Sequence, residues 1–436
     1  MTQNLRLMFV SALRGIGLGA VLTMMAGCGG SGGSSSCGSC GGGGGGSPTD
    51  VTIVFDGSAP TAVATQVGAG NFAAASLSGG KLTVGVPSGT TNYAVAYVCP
   101  PVQLAAPVNL RENFVHVWEA ALTDGTSFSQ SCGNGNSGFA TGTLTGSVDA
   151  SAIAGTSNVE VLAFNGTNEV AGAVASNAGS FSIAAPTGAD RVEVLAYDSL
   201  FHLQAAKDLG SQTAPGAVNG GSAVSLGAAD QVGSQPITYS NVPAGYQGPM
   251  SFASIVLGTA GVATLTTGGA AYPTLPAGAL ENGDTYSVIS TVIATGTPSK
   301  SMTVSQTFTA AQPIAVVFPA AFAPVAPTAA AWPSFTISYS GFRSGSISDA
   351  VIYRWNTSGT TTYALDVLST AAHQGASTSV AVPDLSGIAG FPAAPVSGST
   401  AIWFEGVVDS SYPPGLGTPV VATVSQVGAI GDYFVP

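Results

Sequence analysis

The chain has 436 residues and a net charge of −12, with only nine Lys and Arg. Charged residues are 7% of it, against 45% apolar, 60 Gly and 26 Pro; this excludes soluble helices with charged wet faces and disorder driven by charge. So few cations, under so large a negative excess, also exclude nucleic acid as a partner.

Taken in chain order, residues 1–14 carry Arg6 and Arg14 and no acid, and the 13 residues 15–27 are apolar or small. A bilayer-spanning helix needs about 20 such residues, so 1–27 is expected to be an export signal that is cleaved. Met25-Ala26-Gly27-Cys28 resembles the lipobox of bacterial lipoproteins. The resemblance implies that Cys28 is lipidated and begins the mature chain, and that Gly29 permits transfer to the outer membrane. Residues 29–47 are Gly, Ser and two cysteines. Residues 28–49 are therefore expected to form a lipidated cysteine and flexible tether, with a root-mean-square reach of about 24 Å. Cys37 and Cys40 have CxxC spacing, but no helix-forming pattern follows to lower a thiol pKa, so a local or intermolecular disulfide, or a reactive surplus thiol, is the expectation.

From Asp50 onward, short β-branched or alternating runs such as 51–55, 159–164, 192–197, 336–339 and 350–355 are broken by Gly, Pro, Asn and Asp. An all-β chain of tandem β-sandwich units is expected, at 50–137, 138–233, 234–328 and 329–436. An apolar strand closing in Pro-x-Gly recurs at Pro87-Ser88-Gly89, Pro186-Thr187-Gly188 and Pro276-Ala277-Gly278, and a looser version ends at Pro383. Pro stops ladder donation and Gly is expected to accept the positive φ of a turn. The segment 113–122 has ambiguous periodicity, and its alternation favours a strand over a helix.

In the second unit, Gly146-Ser147-Val148-Asp149, Val159-Glu160-Val161, Gly179-Ser180-Phe181, Pro186-Thr187-Gly188 and Val192-Glu193-Val194-Leu195-Ala196-Tyr197 resemble a carboxypeptidase-regulatory-like, transthyretin-like β-sandwich. The last unit resembles an immunoglobulin or fibronectin-type sandwich. These resemblances imply structural or binding modules; separately, no HExxH, EF-hand loop or phosphate-binding glycine motif appears, so neither cofactor nor metal is expected.

Cys99 and Cys132 are expected to pair in an exported chain. His116, His202 and His373 fall in three different units, so a histidine metal site or a Ser-His-Asp set would need an active site between units. Glu112 with Glu119, or Asp349 with Asp366, are the carboxylate pairs available for glycoside chemistry. Asp124-Gly125-Thr126 and residues 165–169 read as turns rather than calcium loops. Residues 331–436 hold 13 of the 34 aromatics and three of the four tryptophans, so Tyr353, Arg354, Trp355 and Trp403 are the ligand-binding candidates. The expectation is a noncatalytic, lipid-anchored envelope or cell-surface protein, bound to membrane through Cys28 and contacting a glycan or protein partner through its last unit. The alternative is a glycan-active enzyme or carbohydrate-binding accessory lipoprotein.

Overall fold

A computed structural model of the protein describes residues 47–436 apart from 57–58, 101, 104–110, 133–140, 166–167, 175, 190, 258–260, 268, 297–298, 320–333, 337–345, 355–360, 378, 393–399, 411–421 and 435–436. Strands predominate among the described residues, so the class is all-β. Among the described residues no helix is long and apolar enough to cross a membrane.

The first strands are β1 (Thr49–Asp56), β2 (Ala62–Val67), β3 (Ala73–Ala75), β4 (Lys81–Val86), β5 (Asn92–Val98), β6 (Val102–Gln103), β7 (Arg111–Ala121) and β8 (Ser127–Ser131). In β4, Leu82, Val84 and Val86 are buried while Lys81, Thr83 and Gly85 are exposed, the period-two pattern of a strand with one dry face. Those dry side chains meet Tyr93, Val95, Tyr97 and Trp118 across the interior. The ambiguous segment 113–122 is strand through Ala121: Val115 and Val117 enter one core, Trp118 and Ala120 the other. A disulfide joins Cys99 to Cys132, closing a loop that contains β7.

Next come β9 (Thr141–Asp149), β10 (Asn158–Asn165), β11 (Asn168–Val174), β12 (Ala178–Pro186), β13 (Arg191–Tyr197), β14 (Leu203–Asp208), β15 (Gly216–Ala217) and β16 (Val224–Ser225). β12 and β9, with β15 and β16, form one layer; β11-β10-β13-β14 form the other. Leu144, Val148, Phe181 and Ile183 of the first layer face Val159, Val161, Val192 and Val194 of the second.

The remaining strands are β17 (Gly233–Ser240), β18 (Met250–Leu257), β19 (Gly261–Thr267), β20 (Ala271–Thr274), β21 (Thr285–Ala294), β22 (Ser299–Phe308), β23 (Ile314–Val317), β24 (Ser334–Thr336), β25 (Ser346–Arg354), β26 (Thr361–Thr370), β27 (Ser379–Ala381), β28 (Thr400–Ser410) and β29 (Ala422–Phe434); a one-turn helix, α1 (Ala371–Gln374), follows β26. β20-β17-β23 lie over β18, β21 and β22, where Tyr272, Ile237 and Val316 share a core with Ile255, Tyr286, Met302 and Phe308. All seven residues of β13 are buried. Its Val192, Val194 and Ala196 fill its own sandwich, while Leu195 and Tyr197 join a second cluster with Ala263 and Leu265 of β19.

The larger sheets fuse. One sheet of thirteen strands runs β19-β18-β21-β22-β29-β28-β25-β26-β7-β5-β2-β3, with β6 also paired to β7. Its two joints are β22 with β29, antiparallel from Ser299↔Ile430 to Thr307↔Ala422, and β26 with β7, parallel from Thr361↔Arg111 to Ser369↔Glu119. Modules strung only on linkers would keep separate sheets; here the ladder bonds that edge strands leave open are satisfied by another segment of the same chain.

The Pro-x-Gly turns differ from one another. Gly89 and Gly188 have φ of +86° and +72°, the left-handed turn geometry expected of them. Gly278 is not left-handed. It sits in a 3₁₀ turn closed by Ala279 N–H on the Pro276 carbonyl at 2.9 Å, and that closure removes the need for a positive φ.

Candidate functional site

The polar side chains concentrate where segments distant in sequence meet. In the parallel joint, the register sets Asp366 beside His116 and Ser369 beside Glu119. These positions are three residues apart, so the two pairs occupy opposite faces of the sheet. On one face Nδ1 of His116 lies 3.3 Å from Asp366 Oδ2. The imidazole stacks on Tyr97, with centroids 5.0 Å apart, and Tyr97 Oη donates to Gln130 at 3.0 Å. Burial, with the nearby Asp366 charge, pushes the Tyr97 phenol up, so it remains a donor at any ordinary pH.

On the other face, the Glu119 carboxylate takes a hydrogen bond from Ser369 and lies 3.7 Å from His373 Nε2. Burial pushes the Glu119 carboxyl up, against the pull of His373 and of the Ser369 bond. His373 Nδ1 is 3.3 Å from the Ala120 carbonyl, and Asn92 Nδ2 donates to the His373 carbonyl at 3.1 Å. Ser369 is fully buried, and its hydroxyl also accepts from Gln374. Activation of a serine requires a base that takes its proton. Here Glu119 stands between Ser369 and His373 and links the two across the joint. The histidines assigned to separate units by sequence are thus partly reunited: pairing of β7 with β26 brings His116 and His373 to one joint. His202 stays apart, with Nδ1 3.1 Å from Asp198 Oδ2.

Asp124 closes the end of this joint. Its Oδ2 accepts from Ala121 N–H at 2.8 Å and from the Thr370 hydroxyl at 2.6 Å, which spends that oxygen on the turn and the joint. Asp124→Ala will leave both donors without this acceptor and should cost about 1–3 kcal/mol of stability. Urea denaturation checks this, and a midpoint equal to that of the parent chain would show that the clasp contributes nothing.

A second cluster surrounds Arg191 at the start of β13, between the β13–β14 layer and the turn before β21. Arg191 Nε donates to Glu193 Oε1 at 3.0 Å, and Nη1 donates to Asp284 at 2.8 and 3.0 Å. Nη2 donates to Glu193 and to the Ala279 carbonyl, the latter at 2.9 Å. Asp208 and Glu281 stand 3.7 Å away, and the Phe164 ring lies under the guanidinium at 5.9 Å. One cation therefore serves four carboxylates. Arg191, Glu193 and Asp284 are all buried, and Oε2 of Glu193 has no hydrogen-bond partner. Burial pushes the Glu193 carboxyl up to about 8; Arg191 opposes the rise, and Asp208 and Asp284 add to it. Sequence reasoning missed this cluster, although a signal was present: Arg191 and Glu193 are the only charges in the otherwise apolar RVEVLAY run, two residues apart and so on one face.

The expected ligand-binding residues are only partly described. In the β25–β28 ladder Trp403 pairs with Ile352, Tyr353 with Ile402 and Arg354 with Ala401. Trp355, Trp332, Cys28, Cys37 and Cys40 lie outside the described residues. Glu112 and Glu119 are seven positions apart on β7, about 23 Å along a strand, far beyond a glycosidase spacing of about 5–9.5 Å. Asp349 pairs with Leu368 and Asp366 with Val351, so those two acids are offset along the ladder, and Asp366 already engages His116. Asn165 of the second expected turn donates to the Gly188 carbonyl at 2.8 Å. Among the described residues no group of His, Cys, Asp and Glu is arranged to hold a metal ion.

Fold and joints together define an all-β protein of stacked layers whose largest sheet is assembled from both ends of the chain. No family model and no curated protein matches it. Among solved structures, the pilus adhesin SpaC from Lactobacillus rhamnosus GG in its open conformation aligns with 74% of this chain at 11% identity and a TM-score of 0.13. The alignment spans 43% of that adhesin, less than half its length.

Proposed function

We propose that this protein is a noncatalytic component of the cell envelope, moored to lipid through Cys28 and acting as a structural or partner-binding element. The observation that carries this reading is the amino-terminal order of elements: a short apolar run, Met25-Ala26-Gly27-Cys28, then a Gly/Ser stretch before the first strand. That order is expected of a body tethered outside a bilayer, which in a two-membrane envelope is the outer membrane. The noncatalytic part is supported by the polar joints, whose serine, histidines and carboxylates bond to one another. The aromatic concentration in 329–436 favours that unit, with Trp403 and Tyr353, as the contact for a glycan or protein partner.

Cys28→Ala should abolish incorporation of labelled palmitate into the full chain and release the protein from membranes. Labelling that persists in the variant would remove the anchor from this reading. Turnover of a glycan by the purified chain would replace the noncatalytic reading with the enzyme alternative.

A further inference from the structure

The turn between β13 and β14 presents two large apolar residues that stay mostly exposed, although the Phe201 ring tilts against Tyr197 with centroids 6.5 Å apart. Leu200 and Phe201 are each 60% exposed. Phe201 also holds a φ of +61°, a conformation that costs an aromatic residue energy and that glycine adopts freely. The turn is held rigidly. Asp198 Oδ1 accepts from Leu200 N–H at 2.8 Å and from His202 N–H at 2.9 Å. Backbone bonds from Asp198 N–H to the His202 carbonyl and from Phe201 N–H to the Asp198 carbonyl close it further. Gln204 Nε2 braces the base by donating to the His202 carbonyl at 3.2 Å.

Glycine would hold this φ at less strain, and the Tyr197 contact leaves most of the Leu200 and Phe201 surface open to a contact outside the chain. Neither tip residue carries a charge. Asp198 and His202, which flank the pair, bond each other at the base of the turn. An uncharged, protruding aliphatic–aromatic pair matches the boundary between lipid headgroups and acyl chains, where aromatic rings are favoured. The 19 residues between Cys28 and Pro48, expected from the sequence to be a tether, would keep the body near that boundary. We infer that the Leu200–Phe201 tip is a second membrane contact, dipping into the lipid interface and orienting the body on the bilayer. This inference rests on the lipid-anchored reading given above.

The test uses the full chain, acylated and reconstituted into phosphatidylcholine vesicles, with Leu200→Trp as the reporter. Its emission should shift to the blue and be quenched by phosphatidylcholine with brominated acyl chains, beyond the quenching of the parent chain's own tryptophans. Adding Phe201→Gly should leave the melting temperature equal or higher, because glycine relieves the strained φ, while the lipid quenching falls. If the protein floats with vesicles and carries palmitate but the reporter shows no added lipid quenching, the tip contact is overturned and the anchor stands. If the reporter is shielded from an aqueous quencher yet untouched by bromolipid, the tip meets protein and the inference is likewise overturned. Absence of both palmitate and flotation removes the anchor reading and this inference with it.

Discussion

Arg191→Met is expected to destabilise the protein by about 3–5 kcal/mol, the usual cost of deleting one partner from a buried ionic cluster. Methionine preserves much of the volume and the packing on Phe164, so the loss will report charge rather than a cavity. Four carboxyl groups would then face one another without a cation, two of them enclosed, with the Ala279 carbonyl also deprived of its donor. The deficit should shrink as pH falls, because protonation relieves the uncompensated acids, and chemical denaturation across pH reads both effects. The parent chain carries a related signature. Glu193 ionises near 4.5 in the unfolded chain and near 8 in the folded one, chiefly because it is buried. Its contribution to stability is therefore complete below about pH 4.5, declines as pH rises through the window between those values, and is lost above about 8. Glu193→Gln should flatten the fall in melting temperature across that window; an unchanged slope would show that another group titrates there.

Loss of the Cys99–Cys132 bond, by reduction or by replacing both residues with alanine, should cost about 3–4 kcal/mol in the chain-entropy account of a loop this long. The effect should reach beyond the first sandwich. The closed loop contains β7, the strand that pairs with β26 and carries His116 and Glu119 into the joint. Denaturation of oxidised and reduced protein, with limited proteolysis of β26, measures how far the disturbance spreads. Nonreducing peptide mapping that finds free thiols at both positions would overturn the bond itself.

Much of the strand content is legible one segment at a time. The alternation of Leu82, Val84 and Val86 announces a half-buried strand because successive side chains point to opposite faces. In β13 the same local logic was incomplete. The run from Val192 to Tyr197 reads as a strand, but only the packing of β19 against its second face explains why all seven positions are buried. Arg191 belongs to that second face, and its partner Asp284 lies 93 residues away. The short Pro-x-Gly signal likewise names a turn without naming its type: Gly89 and Gly188 are left-handed and Gly278 is not.

Strand period, turn chemistry and the spacing of cysteines act over a few residues or through one bond, so they can be read from composition and order alone. Edge pairing cannot. A free edge of β7 offers the same row of N–H and C=O groups to any strand, and nothing near it in the chain names β26 as the partner. The pairing of His116 with Asp366 spans 250 residues, and it exists because β7 and β26 close their open edges on each other. Which carboxylates surround the buried guanidinium follows likewise from tertiary stacking, of the β13–β14 layer on the turn before β21.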